Sequence, residues 1–345
     1  MTLAFLRRVL PQILTLAAII AVIGVIFPGF FSIQLANGRL FGSPIDILNR
    51  GAPVALLAIG MTLVIATRGI DLSVGAVMAI CGAVAAASVQ AGHGALVAVL
   101  MALGTGLLCG LWNGFLVAVL KIQPIVATLI LMVAGRGIAQ LVTSGTILTF
   151  SDPGLIFLGG GTLFWLPTPV VIWLAAALIA IVVVRRTALG LLIEAVGVNP
   201  RASTLAGVNA RALTVAVYVV SGLCAALAGV IVAADIRGAD ANNAGLWLEL
   251  DAILAVVVGG NSLLGGRFSI VASLIGAMVI QSVNTGILIS GFPPEFNLVI
   301  KAGIILVILV LQSPNALALA AALRPNRPAA QPAPAQTKTR ETTTP

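Results

Sequence analysis

The chain has 345 residues, of which 60% are hydrophobic and only 8% are charged, and its mean hydropathy is +1.17. Soluble domains carry about 25% charged residues, so this composition excludes an ordinary soluble protein and predicts an all-α polytopic membrane protein. The formal net charge is +8, but the Lys and Arg residues are scattered among separate loops, which argues against nucleic-acid binding.

Apolar runs recur along the chain, and a helix of about 20 such residues crosses about 30 Å of hydrocarbon. They lack the period-2 alternation of an outer-membrane barrel. The first run follows Arg7 and Arg8 without a cleavage site, so we interpret it as a retained helix. The third and eighth runs are short or interrupted by glycine and are candidates for broken or re-entrant segments. We predict about ten spans, at 10–30, 51–67, 73–91, 95–120, 124–143, 167–185, 212–234, 251–265, 269–288 and 297–313.

The distribution of basic residues predicts the orientation. An even number of spans puts both termini on one side, and the loops of that side hold most of the Lys and Arg residues, against Arg39, Arg50 and Arg237 in the opposite loops. By the positive-inside rule, both termini and the loop 186–211 are predicted to be cytoplasmic. Residues 1–313 then form the transmembrane domain. Residues 314–345, rich in Pro, Ala and Thr, are predicted to be a disordered cytoplasmic tail.

The residue inventory argues against an enzyme. With one histidine, His93, and three cysteines in apolar runs, neither a metal site nor a His-based nucleophilic set is indicated, and no P-loop sequence occurs. We therefore predict no catalytic residue, no metal and no cofactor in this chain. A transporter, channel or receptor remains. Ionisable residues in or beside the predicted spans that could drive transport are few; the candidates are Asp71, Arg136 and Lys301. They suggest no proton relay, so the energy source is expected outside the chain.

One long polar segment, residues 185–211, interrupts the apolar sequence. Asn199 followed by Pro200 is a helix-start signal, and Gly207 is a typical C-terminal stop. The segment therefore predicts a short helix from Pro200 to Ala206. A helix of about two turns is marginal alone in water. It either packs against a partner or is an ordinary connector.

The segment EAVGVNPRASTLAGVN resembles the cytoplasmic coupling loop of ribose-type ABC sugar-importer permeases, whose pattern is A-x-G-x-N-x-x-A-A-x-x-x-G-[IV]. Ser203 departs from it, standing where Ala is usual. RGIDLSVGA (68–76) and GGNSLLGG (259–266) resemble further family segments, although Arg68 replaces a residue that is often small. The similarity extends over about residues 38–312 and is greatest to a bacterial galactofuranose permease. The residues that match the coupling-loop pattern are Ala195, Gly197, Asn199, Ala202, Gly207 and Val208.

The resemblance implies a transmembrane subunit of an ATP-driven importer in the bacterial inner membrane. Its cargo would be a monosaccharide, galactofuranose first and otherwise ribose or another simple sugar. The implied partners are ABC ATPase subunits, which bind the ATP, a periplasmic sugar-binding protein, a second copy or a homologous permease, and the lipid bilayer. A self-contained secondary sugar carrier or channel, or a structural subunit without a pathway, are the alternatives. The implied ATPase-coupling residues are Glu194, Gly197, Asn199, Arg201, Ala202 and Gly207.

Several polar residues are candidates for a substrate pathway. In RGIDLSVGA, Asp71 or Ser73 can cap the next helix, either facing a cavity or within a cytoplasmic hairpin. GGNSLLGG is either a turn or a contact with the ATPase. The segment 235–251 is either the mouth through which sugar enters, a docking rim for the binding protein, or a solvated loop whose Glu249 or Asp251 starts a helix. Gln140, Gln281 and Asn284 either line the pathway or join helices. The candidate pathway residues are Asp71, Ser73, Asn113, Gln123, Asp240, Asn242, Asn243 and Trp247.

Overall fold

The computed structural model describes residues 3–36, 38–291 and 294–312. Helices dominate these ranges, and the helix Ala95–Gly114 continues directly into a π-helix, Phe115–Val119. The helices are α1 (Leu3–Ile26), α2 (Ser43–Arg50), α3 (Ala52–Ala66), α4 (Val74–Gln90), α5 (Ala95–Gly114), α6 (Pro124–Val142), α7 (Pro153–Gly160), α8 (Thr168–Arg186), α9 (Leu189–Val198), α10 (Pro200–Leu205), α11 (Ala210–Asp235), α12 (Leu248–Val258), α13 (Ile270–Ile289) and α14 (Pro294–Gln312).

Three short antiparallel strand pairs lie in the connections between helices. β1 (Gln34–Ala36) pairs with β2 (Arg39–Phe41), and β4 (Thr162–Leu163) pairs with β5 (Leu166–Pro167). The third pair joins distant parts of the chain, because β3 (Leu148–Thr149) pairs with β6 (Gly238–Ala239), with Leu148 opposite Ala239. This pair ties the connection after α6 to the connection after α11.

Side-chain caps fix the start of four helices. A carboxylate, amide or hydroxyl oxygen accepts a hydrogen bond from the backbone N–H three residues later, which satisfies one of the free donors at the helix start. The capping residues are Asp152 for α7, Asn199 for α10, Asn209 for α11 and Ser269 for α13. These local signals explain why the polar breaks in the sequence convert into sharp helix boundaries.

The long helix α11 packs antiparallel to α5 through small residues. A Cβ on Gly110 would come within 2.6 Å of the carbonyl oxygen of Tyr218, and a Cβ on Gly114 within 2.9 Å of Val215 Cα. Glycine therefore permits a backbone approach that any larger residue would block, as is common between membrane helices. The antiparallel arrangement places the start of α11 beside the end of α5.

This pairing defines two ends of the bundle. The α10 end contains α9, α10, the start of α11 and the end of α5. The α7 end contains the end of α11, where a Cβ on Gly159 of α7 would collide with the backbone of Asp235, and also the β3–β6 pair. The central helices α3, α4 and α13 are almost fully buried, whereas α1, α5, α6 and α8 expose many apolar side chains. Apolar exposure of this kind fits helices that face lipid.

The all-α polytopic prediction is confirmed, but the count of about ten spans remains a prediction. Within the described residues, six helices are long and apolar enough to cross a membrane, and a seventh arises if α2 and α3, bent by 45°, form one span. Val74–Gln90 and Leu298–Ile308 are shorter apolar helices. The six are Val9–Ile26, Ala95–Val119, Pro124–Val142, Thr168–Arg186, Ala210–Asp235 and Ile270–Ile289.

The predicted span 251–265 is wrong as a continuous helix. Helix α12 begins earlier, at Leu248, and ends at Val258, and its 11 residues extend only about 16 Å. The residues after Gly259 form turns, in which Gly260, Gly265 and Gly266 adopt positive φ. The apolar run therefore breaks at its glycines, as the sequence had suggested for a broken segment. The predicted tail 314–345 lies outside the described residues.

Candidate functional site

The short helix α10 forms where the sequence predicted it, one residue shorter at its end. The Asn199 Oδ1 atom accepts a hydrogen bond from Ala202 N at 3.0 Å, and Gly207 adopts a φ of +86° just after the helix. Ser203, which departs from the family pattern, is buried, and its hydroxyl donates to the Asn199 carbonyl at 2.9 Å. The serine therefore reinforces the cap that holds α10.

One face of α10 is exposed in the part of the chain that the structure describes. Arg201 and Ala202 are exposed, and the Leu205 side chain is 91% exposed. Leu264, in GGNSLLGG, is 82% exposed. Glu194 is half-buried in a cleft of about 290 Å³ between α8, α9 and the start of α13. Large apolar side chains beside a cation at a helix tip are typical of a protein-docking surface.

Three segments that lie far apart in sequence meet at the α10 end, and we call their contact the junction (Ala66, Arg68, Gly197, Val198 and Gly266). The Ala66 carbonyl accepts a hydrogen bond from Gly266 N at 2.9 Å. A Cβ on Gly197 would overlap that same carbonyl oxygen, and the Arg68 guanidinium donates to the Val198 carbonyl. The sequence left the role of Arg68 open, and the structure shows it fastening the end of α3 to the end of α9.

Asp71, Ser73 and Asn113 come together, with Ser221 of α11, in what we call the Asp71 cluster. The Asp71 Oδ1 atom accepts from the Ser73 hydroxyl at 2.6 Å, the Ser73 backbone N–H at 3.1 Å and the Asn113 amide at 3.4 Å. Its Oδ2 atom accepts from the Ser221 hydroxyl at 2.8 Å. The Asn113 amide also donates to the Ser73 hydroxyl at 2.7 Å. One carboxylate therefore joins the loop before α4 to both α5 and α11.

The Asp71 cluster is buried inside the bundle and is not part of a solvated hairpin. Asp71 is only 2% exposed, and Ser221 is the twelfth residue of α11, about 17 Å along that helix. Asp71 binds the Ser73 N–H, but the Ser73 side chain makes no capping hydrogen bond of its own. Sequence analysis missed Ser221, because a single serine in an apolar helix carries no local signal for such a contact.

Asp240, Asn242 and Asn243 form a closed turn at the α7 end. The Asp240 carboxylate accepts from the Asn243 side-chain amide at 2.7 Å and from the backbone N–H groups of Asn242 and Asn243 at 3.0 and 3.2 Å. The Asn243 side-chain hydrogen bond, followed by the backbone hydrogen bonds, outweighs partial burial and lowers the pKa of Asp240 below its usual value. The turn is therefore held by a charged carboxylate at neutral pH.

Helix α6 is tied to this turn by two side chains one helical turn apart. The Gln140 amide donates to Asn242 Oδ1 at 2.8 Å, and the Arg136 guanidinium donates to the Ala244 carbonyl. Trp247 follows in the left-handed backbone region, with a φ of +66°, and its ring is half exposed. Gln123 does not join these candidates, because it lies at the α10 end as the exposed N-cap residue of α6.

Glu249 and Asp251 lie in the first turn of α12, where the sequence placed a helix charge, but both are buried rather than solvated. The ammonium of Lys301 lies 2.5 Å from Asp251 Oδ1 and donates to Oδ2 at 2.6 Å. This ion pair links α12 to α14. Asp251 and Lys301 each stand out in the sequence, but they are 50 residues apart and nothing local indicates that they pair.

Within the described residues, six helices that could span a membrane and the exposed, capped helix α10 at one end are features of a polytopic membrane protein. Residues 43–309 match the family described as branched-chain amino acid transport system / permease component, so the chain belongs to this family of permeases. The expectation that it is a transport subunit and not an enzyme is thereby confirmed. The expectation of a multi-pass protein of the bacterial inner membrane is confirmed as well. No solved structure matches the chain.

Among known proteins, the chain is 62% identical over 315 residues to the galactofuranose transporter permease protein YtfT of Escherichia coli K12, covering 91% of this chain and 92% of that protein. It is 39% identical to the fructose import permease protein FruF of Bifidobacterium longum, covering 84% and 83% of the two chains. It is 38% identical to the ribose import permease protein RbsC of E. coli K12, covering 88% and 92%. The resemblance to ribose-type sugar permeases is therefore confirmed.

Proposed function

We propose that the chain is the transmembrane subunit of an ATP-driven importer that moves a monosaccharide, with galactofuranose as the leading substrate. The family description names branched-chain amino acids, whereas the three relatives described above are sugar permeases. The relatives are the more specific evidence for the substrate, because each is aligned over most of its own length and most of this chain. Galactofuranose is preferred to ribose because identity to the galactofuranose permease is 62%, against 38% for the ribose permease.

The observation that carries the proposal is that helix α10 is exposed and directly follows the junction, whose residue Val198 precedes the α10 cap Asn199. In our proposal α10 docks on a separate ABC ATPase subunit, which binds and hydrolyses ATP. Glu194, Gly197, Asn199, Arg201, Ala202 and Gly207 form the coupling element. Arg201 and Leu205 offer a cation and an apolar side chain to that partner. The close backbone contact of Gly197 with Ala66 and the hydrogen bond from the Arg68 guanidinium to the Val198 carbonyl supply a path for motion from α10 to α3.

In our proposal the α10 end faces the cytoplasm, as the excess of Lys and Arg there suggests. Residues 1–313 form about ten spans, with the loop 186–211 and the tail 314–345 on the cytoplasmic side. The turn at Asp240, Asn242 and Asn243, with Trp247, then faces the periplasm and receives sugar from a binding protein. A second copy or a homologous permease completes the pathway.

Reversing the charge of Arg201 tests the coupling role. We expect Arg201→Glu to abolish co-purification of the ATPase subunit, because it replaces a cation with an anion on the docking surface. The control is Lys121→Glu, an exposed residue at the same end but outside α10. Both variants are checked for membrane insertion and yield. Retention of the ATPase by well-inserted Arg201→Glu would contradict the proposal.

A self-contained secondary carrier makes a different prediction. Vesicles that contain only this chain would take up sugar without ATP if the chain were such a carrier. The importer proposal instead requires the ATPase subunits and ATP for uptake. ATP-independent sugar uptake by the chain alone would therefore overturn the proposal.

A further inference from the structure

A polar cleft lies between α2, α13 and α14, away from the coupling helix and from the Asp240 turn. Its volume is about 300 Å³, and two leucines complete a wall that is otherwise formed by Arg50, Gln281, Asn284, Thr285 and Lys301. Gln281 is the twelfth of the 20 residues of α13, a helix that is apolar enough to span a membrane. The deep part of the cleft is therefore near the middle of a span.

Polar groups at this depth need an explanation. Polar and ionisable side chains within membrane spans face the protein interior or a water-filled cavity and commonly mark substrate paths. The Gln281 amide donates to the Thr285 hydroxyl at 3.3 Å. Within the part of the chain that the structure describes, neither the Asn284 nor the Arg50 side chain forms a hydrogen bond or ion pair. Both remain available to a ligand.

The charges of the cleft favour a neutral ligand in its deep part. Lys301 is already paired with Asp251, and its ammonium has three donors, so it can still donate to a bound molecule. Arg50, at the end of α2, is exposed, whereas Gln281, Asn284 and Thr285 are uncharged. Amides and a hydroxyl offer donors and acceptors side by side. Sugar hydroxyl groups require both.

The volume and the lining of the cleft fit a single sugar ring. The volume is at the lower limit of the roughly 300–1,000 Å³ that is usual for small-molecule sites. Leu288 and Leu298 provide apolar surface for the carbon face of a ring. On the other side of Lys301 is a second cavity of about 260 Å³, lined by Trp247 and by the Lys301 partner Asp251. The two cavities share Leu298 and Lys301 as lining residues, so the cleft lies next to the cavity that contains the aromatic residue at the α7 end.

We propose that this cleft is a binding site for one neutral, polyhydroxylated ring on the route of the transported sugar. Asn284, Gln281 and Thr285 bind its hydroxyl groups, and Lys301, oriented by Asp251, donates from the opposite wall. The proposal rests on the transport function proposed above and assigns its substrate to residues in α2, α13 and α14.

The first test uses the complete importer, reconstituted with its ATPase and binding-protein subunits in vesicles. Replacing Asn284 or Gln281 with leucine removes one hydrogen-bonding group at similar size. We expect galactofuranose uptake at low sugar concentration to fall about tenfold, as loss of a hydrogen bond of about 1.4 kcal/mol implies. ATPase co-purification should not change. The control is Ser282→Ala, on the same helix, whose hydroxyl instead donates to Met278 O.

Normal uptake by both leucine variants would overturn the cleft proposal while leaving the transport function intact. Absence of ATP-dependent uptake in the unmodified complex would instead contradict the transport function. The two failures are therefore distinguishable.

A second test measures occupancy directly. In the complex, Asn284→Cys is introduced after Cys81, Cys109 and Cys224 are replaced with alanine, and labelling by a water-soluble thiol reagent is followed. We expect labelling that galactofuranose slows and inorganic phosphate does not. Protection by phosphate alone would indicate an anion site, and absence of labelling would show that the cleft is closed to water. Either result would overturn the proposal.

Discussion

Replacing Gly197 with alanine should break the junction. The new Cβ would overlap the Ala66 carbonyl oxygen and would be 2.6 Å from Gly266 N, and both are backbone atoms that cannot rotate away. Overpacking of this kind costs about 1–3 kcal/mol. If the new methyl group pushes the Gly266 segment away from the end of α3, the hydrogen bond from Gly266 N to the Ala66 carbonyl oxygen is also lost. Such a hydrogen bond is worth about 0.5–1.5 kcal/mol. The sum of about 1.5–4.5 kcal/mol is below a native stability of about 5–15 kcal/mol, so the variant should still fold.

The assay compares coupling with stability. Sugar uptake per ATP hydrolysed and the thermal unfolding midpoint are measured for Gly197→Ala in the reconstituted importer. Gly104→Ala, in α5, is the matched control, because its Cβ would meet no atom within 4 Å. We expect a lower unfolding midpoint and poorly coupled ATP hydrolysis for Gly197→Ala, and neither effect for Gly104→Ala. Unchanged uptake per ATP in Gly197→Ala would refute the reasoning that the junction transmits motion.

Other consequences follow from single side chains. Leu205→Ala should weaken binding of the ATPase at least about fivefold without lowering the unfolding midpoint, because the side chain is 91% exposed in the chain alone; unaltered binding would contradict a docking role. Ser221→Ala removes one donor from the buried Asp71 carboxylate and should destabilise the protein by about 1–3 kcal/mol, whereas no change in thermal unfolding would show that the hydrogen bond is dispensable. The lowered pKa of Asp240 stabilises the turn above the ordinary pKa of aspartate, near 3.9, and this contribution is lost as the pH falls through the lower folded pKa. The hydrogen-exchange protection factors of the Asn242 and Asn243 backbone N–H groups, which are corrected for the intrinsic pH dependence of exchange, should therefore fall in acid, and this fall should be absent in Asp240→Asn.

Local signals made α10 predictable from sequence. The Asn199–Pro200 start and the Gly207 stop gave the helix to within one residue, because capping depends on atoms within three residues of each other. The apolar runs likewise located the helices. The predicted end of α12, at residue 265, was wrong. The glycines marked this run as a candidate for a broken segment, but the sequence does not show which glycine ends the helix, and the structure places the break at Gly259, against the backbone of Ala272.

Contacts between distant residues could not be predicted in this way. Arg68 and Val198 are 130 residues apart, and Asp71 and Ser221 are 150 residues apart. The sequence marked Asp71 as one of few candidate ionisable residues and Arg68 as a departure from the family pattern. Their partners are a serine, Ser221, and a backbone carbonyl, that of Val198. Neither partner has a sequence signature. Three of the candidate pathway residues, Asp71, Ser73 and Asn113, nevertheless lie together in the structure. Buried polar side chains need hydrogen-bond partners, and these three residues provide partners for one another.

The connection between α3 and α4 is the element that joins these two sites. Arg68 near its start is bound to Val198, one residue before the cap of α10, and Asp71 three residues later is bound to Asn113 and Ser221. Three residues extend at most about 10 Å, so the connection is too short to take up a large displacement of one end relative to the other. On the proposed mechanism, displacement of α10 by the ATPase therefore cannot be absorbed within this loop. It must instead move the Asp71 cluster, and with it α5 and α11, whose glycine contacts leave no gap between them.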